Sequence, residues 1–218
     1  MSLWLTRIIP DQRSRDARRD AANAVDLHHR VMSLFPDDIA TTEARRELGV
    51  LFRSETTPEG QQILLQSNQP PDVARLPADY GHAATKSLAP LIDALRPGLT
   101  VRYRIAANPI RKPGRTSREL YGLSPVVPLR GAAADDWWTR QAETAGLRVQ
   151  TLHSTPLDAA RGARRSDQRH IKHDRVMFEG SAVIDNADLL RSRLGDGIGK
   201  GKAYGCGLLS IAPDRGNQ

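Results

Sequence analysis

A glycine-rich run near the C-terminus constrains the fold more than any other segment of this chain. Five of the eleven residues from Gly197 to Gly207 are glycine, and Lys200 and Lys202 lie among them. Glycine reaches backbone conformations that side chains forbid, and lysine adds positive charge, so the run suits close approach to a polyanion. A helical pattern over 187–194 precedes it and a strand-like stretch over 208–212 follows. The sequence therefore predicts a loop that joins a helix to a final strand.

The spacing of the glycines excludes the common mononucleotide loops. Neither G-x-x-x-x-G-K-[ST] nor G-x-G-x-x-G fits the run, and too little chain follows it for another strand-loop-helix-strand unit. The plain alternative is a helix stop followed by tight turns. The two lysines favour an anion-binding loop.

Charge is distributed unevenly along the chain. Residues 1–100 carry a net charge of −1 and residues 101–218 carry +8. A basic half of this kind concentrates polyphosphates, which indicates nucleic acid or an acidic membrane surface as a partner. The sequence has neither a long apolar segment nor a basic amphipathic helix, so we expect nucleic acid and no membrane.

Cysteine and histidine give no sign of a metal or cofactor. The single Cys206 excludes an internal disulfide framework and a cysteine-cluster zinc site. His153, His170 and His173 lie in a basic region without a carboxylate-rich helix, which is a poor zinc signature. The apolar part of residues 1–9 is too short for a signal peptide. We expect a cytoplasmic protein without metal or cofactor.

Hydrophobic patterning predicts two similar halves. Strands are predicted at 3–9, 49–54, 61–67, 99–105, 149–154, 176–184 and 208–212; helices are predicted at about 15–34 with a break near Asn23, at 135–144 and at 187–194, with a short helix or loop at 41–48. An irregular connection is predicted over 70–97. The order predicts an α+β protein of two tandem ferredoxin-like (RRM-type) β-α-β-β-α-β domains, residues 1–90 and 98–218.

Five motifs in a fixed order carry a resemblance to a known family. They are residues 27–36 (LHHRVMSLFP), the 57–60 turn (TPEG) followed by 63–67 (ILLQS), 105–110 (IAANPI), 178–180 (FEG) and the terminal glycine run. Together they resemble the CasE family, the CRISPR RNA-processing endoribonucleases of the type I-E system. The resemblance covers nearly the whole chain.

The resemblance implies a function as well as a fold. Members of the family cut the repeat of a precursor CRISPR RNA at the 3′ base of a stem-loop without a metal ion. They then remain on the product as a subunit of the Cascade complex. The implied partners are a CRISPR repeat RNA stem-loop and other type I-E Cascade subunits. Two non-catalytic alternatives stay open, an RNA-binding module and a scaffold subunit of a CRISPR ribonucleoprotein.

His28 is the candidate catalytic residue. Metal-free cleavage needs groups that remove and donate protons while the 2′-hydroxyl attacks the neighbouring phosphate, and histidine titrates close to neutral pH. The resemblance places the family's catalytic histidine at His28, eight residues before Pro36. A helix with Leu27, Val31 and Leu34 buried would leave His28 at the edge of the apolar stripe and His29 toward the opposite side.

The helix departs from the family pattern at two positions. Some members carry a tyrosine three residues before the histidine and a lysine a few residues after it, whereas this chain has Val25 and Ser33. His29 or Arg30 could assist His28 in their place. Alternatively, in-line placement of the 2′-oxygen by the RNA itself supplies most of the acceleration.

The candidate RNA-binding residues form four groups. Arg102 and Arg104 alternate on one predicted strand, so both would lie on one face. The other groups are a segment with Asn108, Arg111, Lys112, Arg115 and Arg118; a basic window with Arg161, Arg164, Arg165, Arg169, Lys172 and Arg175; and the glycine run with Lys200 and Lys202. The basic window resembles the family's hairpin that lies against the RNA stem. Tyr204 either stacks on a partner or anchors its turn.

Overall fold

The first half of the chain forms a four-stranded antiparallel sheet with helices on it. The computed structural model describes residues 2–36, 43–58, 60–122, 124–163 and 170–214. The elements are β1 (Trp4–Pro10), α1 (Arg15–Ala22), α2 (Ala24–Met32), α3 (Ala44–Glu47), β2 (Leu51–Thr57), β3 (Gly60–Ser67) and β4 (Gly81–Ser87). The strand order β2-β3-β1-β4 is that of a ferredoxin-like sheet.

The predicted helix over residues 15–34 is divided at Asn23, as expected. The side chain of Asn23 accepts a hydrogen bond from the backbone N–H of Val25 at 2.9 Å, so this residue ends α1 and caps the N-terminus of α2. The apolar face of α2 buries Val25, Leu27 and Val31. His28 lies beside that face and is partly buried.

The prediction of an irregular connection over 70–97 is wrong for two segments. Residues 81–87 form β4, which pairs with β1 from Trp4↔Ser87 to Pro10↔Gly81, and residues 89–93 form a short helix, α4 (Ala89–Asp93). Most of β4 is exposed at the sheet edge, so its sequence lacks the apolar alternation that marks a half-buried strand. Between β3 and β4, where every residue is described, a 3-10 turn over Val73–Arg75 replaces the usual second helix.

The second half repeats the topology with an insertion. Its elements are β5 (Thr100–Ala107), β6 (Ile110–Arg111), α5 (Arg115–Tyr121), β7 (Val127–Pro128), α6 (Ala132–Thr144), β8 (Leu147–Ala163), β9 (His170–Ile184), α7 (Ala187–Asp196) and β10 (Ser210–Pro213). The order β10-β5-β9-β8 is again ferredoxin-like, with β6, α5 and β7 inserted before α6. The two sheets confirm the predicted tandem α+β fold. The domain limits 1–90 and 98–218 stay a prediction.

Strands β8 and β9 extend well beyond their predicted limits and form a long hairpin. The predicted strands 149–154 and 176–184 are the parts over the core. Pairing continues through Leu157↔Arg175 to Arg161↔Lys172 and Ala163↔His170. Backbone hydrogen bonds hold this extension while its side chains are largely exposed, so no hydrophobic periodicity announces it. Arg164, Arg165 and Arg169 lie outside the described residues.

The core of the second half explains the motif Phe178-Glu179-Gly180. Phe178 is fully buried and stacks on Trp138 of α6, with ring centroids 5.7 Å apart. Strand β8 passes so close to Gly180 that a Cβ there would lie 2.0 Å from the carbonyl oxygen of Thr151. The glycine is therefore required by the pairing of β8 with β9.

A buried arginine joins the two halves. Arg53 on β2 is 2% exposed; its Nη1 donates to the carbonyl oxygens of Arg104 at 3.1 Å and Leu208 at 3.0 Å. Its Nε forms a close ion pair with the carboxylate of Glu55. Gln66 adds a second link, because its Nε2 donates to the carbonyl oxygen of Leu194 at 2.6 Å. These contacts fix the first sheet against the end of the glycine run.

No helix among the described residues has the length and apolar character needed to cross a membrane.

Replacing Arg53 is expected to destabilise the whole chain. Arg53→Met keeps most of the side-chain volume. It removes the hydrogen bonds to the two carbonyl oxygens and the ion pair with Glu55, whose carboxylate then stays buried without its main partner. Breaking a buried ion pair costs about 3 to 5 kcal/mol. Urea unfolding measures the loss. The control is Arg13→Met, whose exposed pair with Asp11 should contribute less than about 1 kcal/mol. Equal stability of the two variants would contradict the role of Arg53.

Candidate active site and nucleic-acid interface

His28 faces the glycine-rich loop of the other half. Its ring centroid lies 6.2 Å from that of Tyr204, in an edge-to-face arrangement with an interplanar angle of 63°. The ring of His29 lies 5.8 Å from His28, and His29 is exposed. His28 is therefore placed where α2 of the first half meets the C-terminal loop of the second.

The glycine run is a folded loop whose shape depends on its glycines. All five glycines, at 197, 199, 201, 205 and 207, have φ between 71° and 88°, where a residue with a side chain would be strained. The loop is tied internally by Ile198 N–H donating to Gly207 O at 3.0 Å, and to β5 by Gly207 N–H donating to Ala106 O at 2.8 Å. It joins α7 to β10, as predicted, and a 3-10 turn within it holds Tyr204.

His173 on β9 completes a chain of rings. Its imidazole stacks on Tyr204 with centroids 5.2 Å apart and an interplanar angle of 21°. Its Nδ1 lies 2.9 Å from the amide nitrogen of Asn108, which is 5% exposed. Burial lowers the pKa of His173. With the amide N–H donating to Nδ1, the ring is neutral at neutral pH and its proton is on Nε2.

Sequence reasoning missed this convergence of His28, Tyr204 and His173. Each residue was noted separately, one on a predicted helix, one in the loop and one in the basic window. Their contact depends on how two sheets pack together, and spacing along the chain carries no such information. The five glycines around Tyr204 were the one sequence signal that the residue is held in a special loop.

Lys112 and Lys200 form an exposed pair of positive charges beside this cluster. Residues Asn108 and Lys200 make an isolated antiparallel bridge, which brings the loop against the segment after β5. A hydrogen-bonding contact with the amine of Lys112, and then its like charge, lower the pKa of Lys200. Two exposed amines this close together attract an anion such as a phosphate.

Arg104, Lys202 and Arg30 each have partners within the protein. Arg104 lies 3.4 Å from both Glu55 and Glu179. The Nζ of Lys202 donates to the carbonyl oxygen of Asp196 at 2.6 Å, and burial followed by the nearby Arg45 lowers its pKa.

Arg30 is the third of these residues. It is paired with the buried Asp20 at 2.7 Å and lies over the ring of Tyr80 at 5.1 Å. Its guanidinium is therefore held against the core of the first half.

Most of the other candidate RNA-binding cations that the structure describes lie on open surfaces. Arg102 shares the exposed face of β5 with Arg104, as the alternation predicts, and this face continues onto Thr151, His153 and Ser181. Arg111 and Arg115 are exposed on the insertion, and Arg118 is partly buried there. Arg161 and Lys172 are exposed and paired across the hairpin. Arg175 donates from Nε to the carbonyl oxygen of Asp158 at 2.8 Å.

The hairpin lies directly on the helix that carries His28. Gly162 is so close to the start of α2 that a Cβ there would lie 2.6 Å from Oδ1 of Asn23 and 2.8 Å from Cγ2 of Val25. An open groove beside this contact is lined by Ala22, Asn23 and Arg161 with His170 and Lys172. Val25, one of the departures from the family pattern, is thus covered by the hairpin.

Within the described ranges, no three histidine, cysteine, aspartate or glutamate side chains cluster in a way that could hold a metal ion.

Two ferredoxin-like halves, a histidine at their junction and an exposed lysine pair beside the adjoining loop fit an RNA-processing protein, and the comparisons with known proteins point to the same class. The family model described as CRISPR associated protein matches residues 3–213. The chain belongs to this family, and within it to the CasE proteins.

Two curated relatives and one solved structure show the extent of the similarity. The CRISPR-associated endoribonuclease Cse3 of Thermus thermophilus is 30% identical over 97% of this chain and 100% of its own. The Cascade subunit CasE of Escherichia coli is 29% identical over 90% of this chain and 96% of its own. The structure of Thermus thermophilus Cse3 bound to an RNA representing a pre-cleavage complex has a TM-score of 0.79 at 29% identity and covers 98% of this chain and 100% of that chain.

The lowered pKa of His173 predicts a pH-dependent contribution to stability. Because the folded chain binds this proton less well than the unfolded chain, stability is lost as pH falls below the unfolded value of about 6.5. His173→Gln should therefore flatten the fall in unfolding free energy between about pH 7.5 and about pH 5.5. Urea unfolding across this range measures it. His82→Gln, at an exposed position on β4, is the control variant. Parallel curves for His173→Gln and the parent would contradict the assignment.

Proposed function

We propose that this protein is a metal-independent endoribonuclease that cleaves CRISPR repeat RNA at the 3′ base of its stem-loop. The observation that carries the proposal is the position of His28, partly buried at the junction of the halves and against Tyr204, whose loop also carries Lys200 of the exposed Lys112–Lys200 pair. Relatives named as an endoribonuclease and as a Cascade subunit support it. The structure of a relative bound to a pre-cleavage RNA supports it further.

The proposed reaction needs only the RNA and protein side chains. The 2′-oxygen next to the scissile phosphate attacks phosphorus, the 2′-hydroxyl proton passes to a base, and the bond from phosphorus to the 5′-oxygen breaks. An acid returns a proton to that oxygen. The products are a 2′,3′-cyclic phosphate and a 5′-hydroxyl, so no water, metal or cofactor enters the balance. His28 is the proposed proton-transfer residue.

Assistance to His28 is proposed to come from its neighbours or from the RNA. His29 is exposed next to it, with ring centroids 5.8 Å apart. Arg30 would have to leave its ion pair with Asp20 to reach the same space, which makes it the costlier choice. In-line placement of the 2′-oxygen by the bound RNA remains the third possibility.

Binding is proposed to involve the exposed cations of the second half. Lys112, Lys200 and Arg161 meet the first requirement for a phosphate contact, since each is exposed. The same role is proposed for Arg102, Arg104 and Arg111, and for Arg164, Arg165 and Arg169. Lys202 and the neutral Asn108 are also proposed, but each would first have to leave its partner, Asp196 for Lys202 and His173 for Asn108. A-form RNA buries its base edges in a deep, narrow groove, so long cationic side chains on a protruding hairpin suit its backbone. After cleavage the product RNA is proposed to stay bound, in the cytoplasm, within Cascade.

Replacing His28 is expected to abolish cleavage while sparing binding. His28→Ala should lower the single-turnover rate on a repeat RNA from the CRISPR array nearest its gene by about 10²- to 10⁴-fold, because one proton transfer is lost. His82→Ala is the matched control and should cleave normally. Cleavage should persist in EDTA and stop when the scissile 2′-hydroxyl is replaced by hydrogen.

Three results would count against the proposed chemistry. Full activity of His28→Ala would remove the histidine from the mechanism. Loss of cleavage in EDTA would indicate a metal. RNA that binds tightly but is never cut would favour the non-catalytic RNA-binding or scaffold alternative.

Removing the paired lysines is expected to weaken RNA binding by an electrostatic mechanism. The double variant Lys112→Gln and Lys200→Gln should reduce the slope of log affinity against log salt by about 1 to 2 units, since each phosphate contact contributes roughly 0.7 to 0.9. Filter binding with 2′-deoxy repeat RNA at several salt concentrations measures the slope. Lys86→Gln, at an exposed position on β4, is the control. An unchanged slope in the double variant would exclude this pair from the RNA interface.

A further inference from the structure

Four side chains from separate segments form a continuous chain of contacts across the junction. Asn108, which follows β5, contacts His173 on β9; His173 stacks on Tyr204 in the glycine-rich loop; Tyr204 lies edge-to-face with His28 on α2. Three of the four belong to the second half and only His28 to the first. Through these contacts, the packing of the second half determines what surrounds the one imidazole that the first half contributes.

Asn108 and His173, the two of these side chains that lie farthest from His28 in the series, are held firmly in place. Asn108 is buried, and the backbone beside it bridges to Lys200 of the same loop. His173 belongs to a strand that pairs with β5 and β8. Its ring is thus fixed by an amide on one side and an aromatic face on the other.

Tyr204 is anchored to both halves. Its N–H donates to Gly201 O at 2.8 Å, which closes the 3-10 turn. The following Gly205 lies against the ring of Phe52 on β2, where an added Cβ would be 3.5 Å from that ring. Beyond it, Cys206 is fully buried. The backbone that carries the tyrosine is therefore held within the packed junction.

We propose that Tyr204 and His173 are positioning residues that hold the His28 imidazole in place for the cleavage reaction. The inference rests on the proposed function. The His28 backbone is fixed by the buried Leu27 and Val31, and the ring of Tyr204 lies edge-to-face with the imidazole, where it limits rotation of that ring. Reacting groups misplaced by about 1 Å lose roughly 10²-fold in rate, so such a restriction affects catalysis strongly.

Kinetics on three variants separate positioning from binding. Tyr204→Ala removes the ring and should lower the single-turnover rate by about 10- to 100-fold with unchanged affinity for 2′-deoxy repeat RNA. Tyr204→Phe keeps the ring and should restore the rate to within about 3-fold of the parent. His173→Ala removes the stacking partner and should cause an intermediate loss. A parent-like rate for Tyr204→Ala, or a loss that appears wholly in affinity, would overturn the inference.

A second measurement needs no RNA and no activity. In protein labelled with ¹³C-histidine, the ring signals of His28, identified by their loss in His28→Gln, should move or broaden in Tyr204→Ala because the neighbouring ring current is gone. The signals of His82 should stay in place and report an intact fold. Unmoved His28 signals would refute the positioning role even if the RNA is cut.

The two measurements also separate this inference from the proposed function. Cleavage by the parent with unmoved His28 signals refutes positioning alone. A parent protein that leaves repeat RNA uncut refutes the proposed function, and the catalytic part of the positioning inference falls with it.

Discussion

The buried guanidinium of Arg53 is the constraint on which the arrangement of the two halves depends. Removing a charge from water is costly, and here the cost is offset by Glu55 and by carbonyl oxygens of two segments of the other half. One of them, Leu208, follows the glycine-rich loop directly. Because Arg53 lies on β2, its bonds fix the end of that loop against the sheet on which α2 packs. Arg53 thereby helps to set the distance between Tyr204 and His28, although these bonds reach neither ring.

Much of the local structure could be predicted because it depends on neighbours in sequence. The helix break at Asn23 follows from a side chain that caps the next helix, and the strands over the cores follow from alternating burial. Strand β4 could not be predicted, since an exposed edge strand has no apolar face to reveal it. The extension of the hairpin was missed for the same physical reason.

The candidate site was only partly accessible to sequence reasoning. His28 was found through a resemblance, and the loop through its glycines. That Tyr204 and His173 lie against His28 depends on the packing of two sheets, which no spacing encodes. The sequence also does not show which of the cations are available to bind RNA. Lys112 and Lys200 are paired in the open, whereas Arg104 and Lys202 are bound to protein groups, although all four look alike in the sequence.

The contact between the hairpin and α2 gives the departure at Val25 a physical explanation. Gly162 approaches Val25 and Asn23 so closely that even a methyl group on the hairpin would collide with them. A tyrosine in place of Val25 would need the space that the hairpin strand occupies. The close contact between hairpin and helix therefore requires both a small side chain at position 25 and glycine at position 162. An aromatic ring reaches His28 instead from the glycine-rich loop of the other half. The hairpin that is proposed to hold the RNA and the helix that carries His28 are consequently in direct contact, and neither can shift without displacing the other.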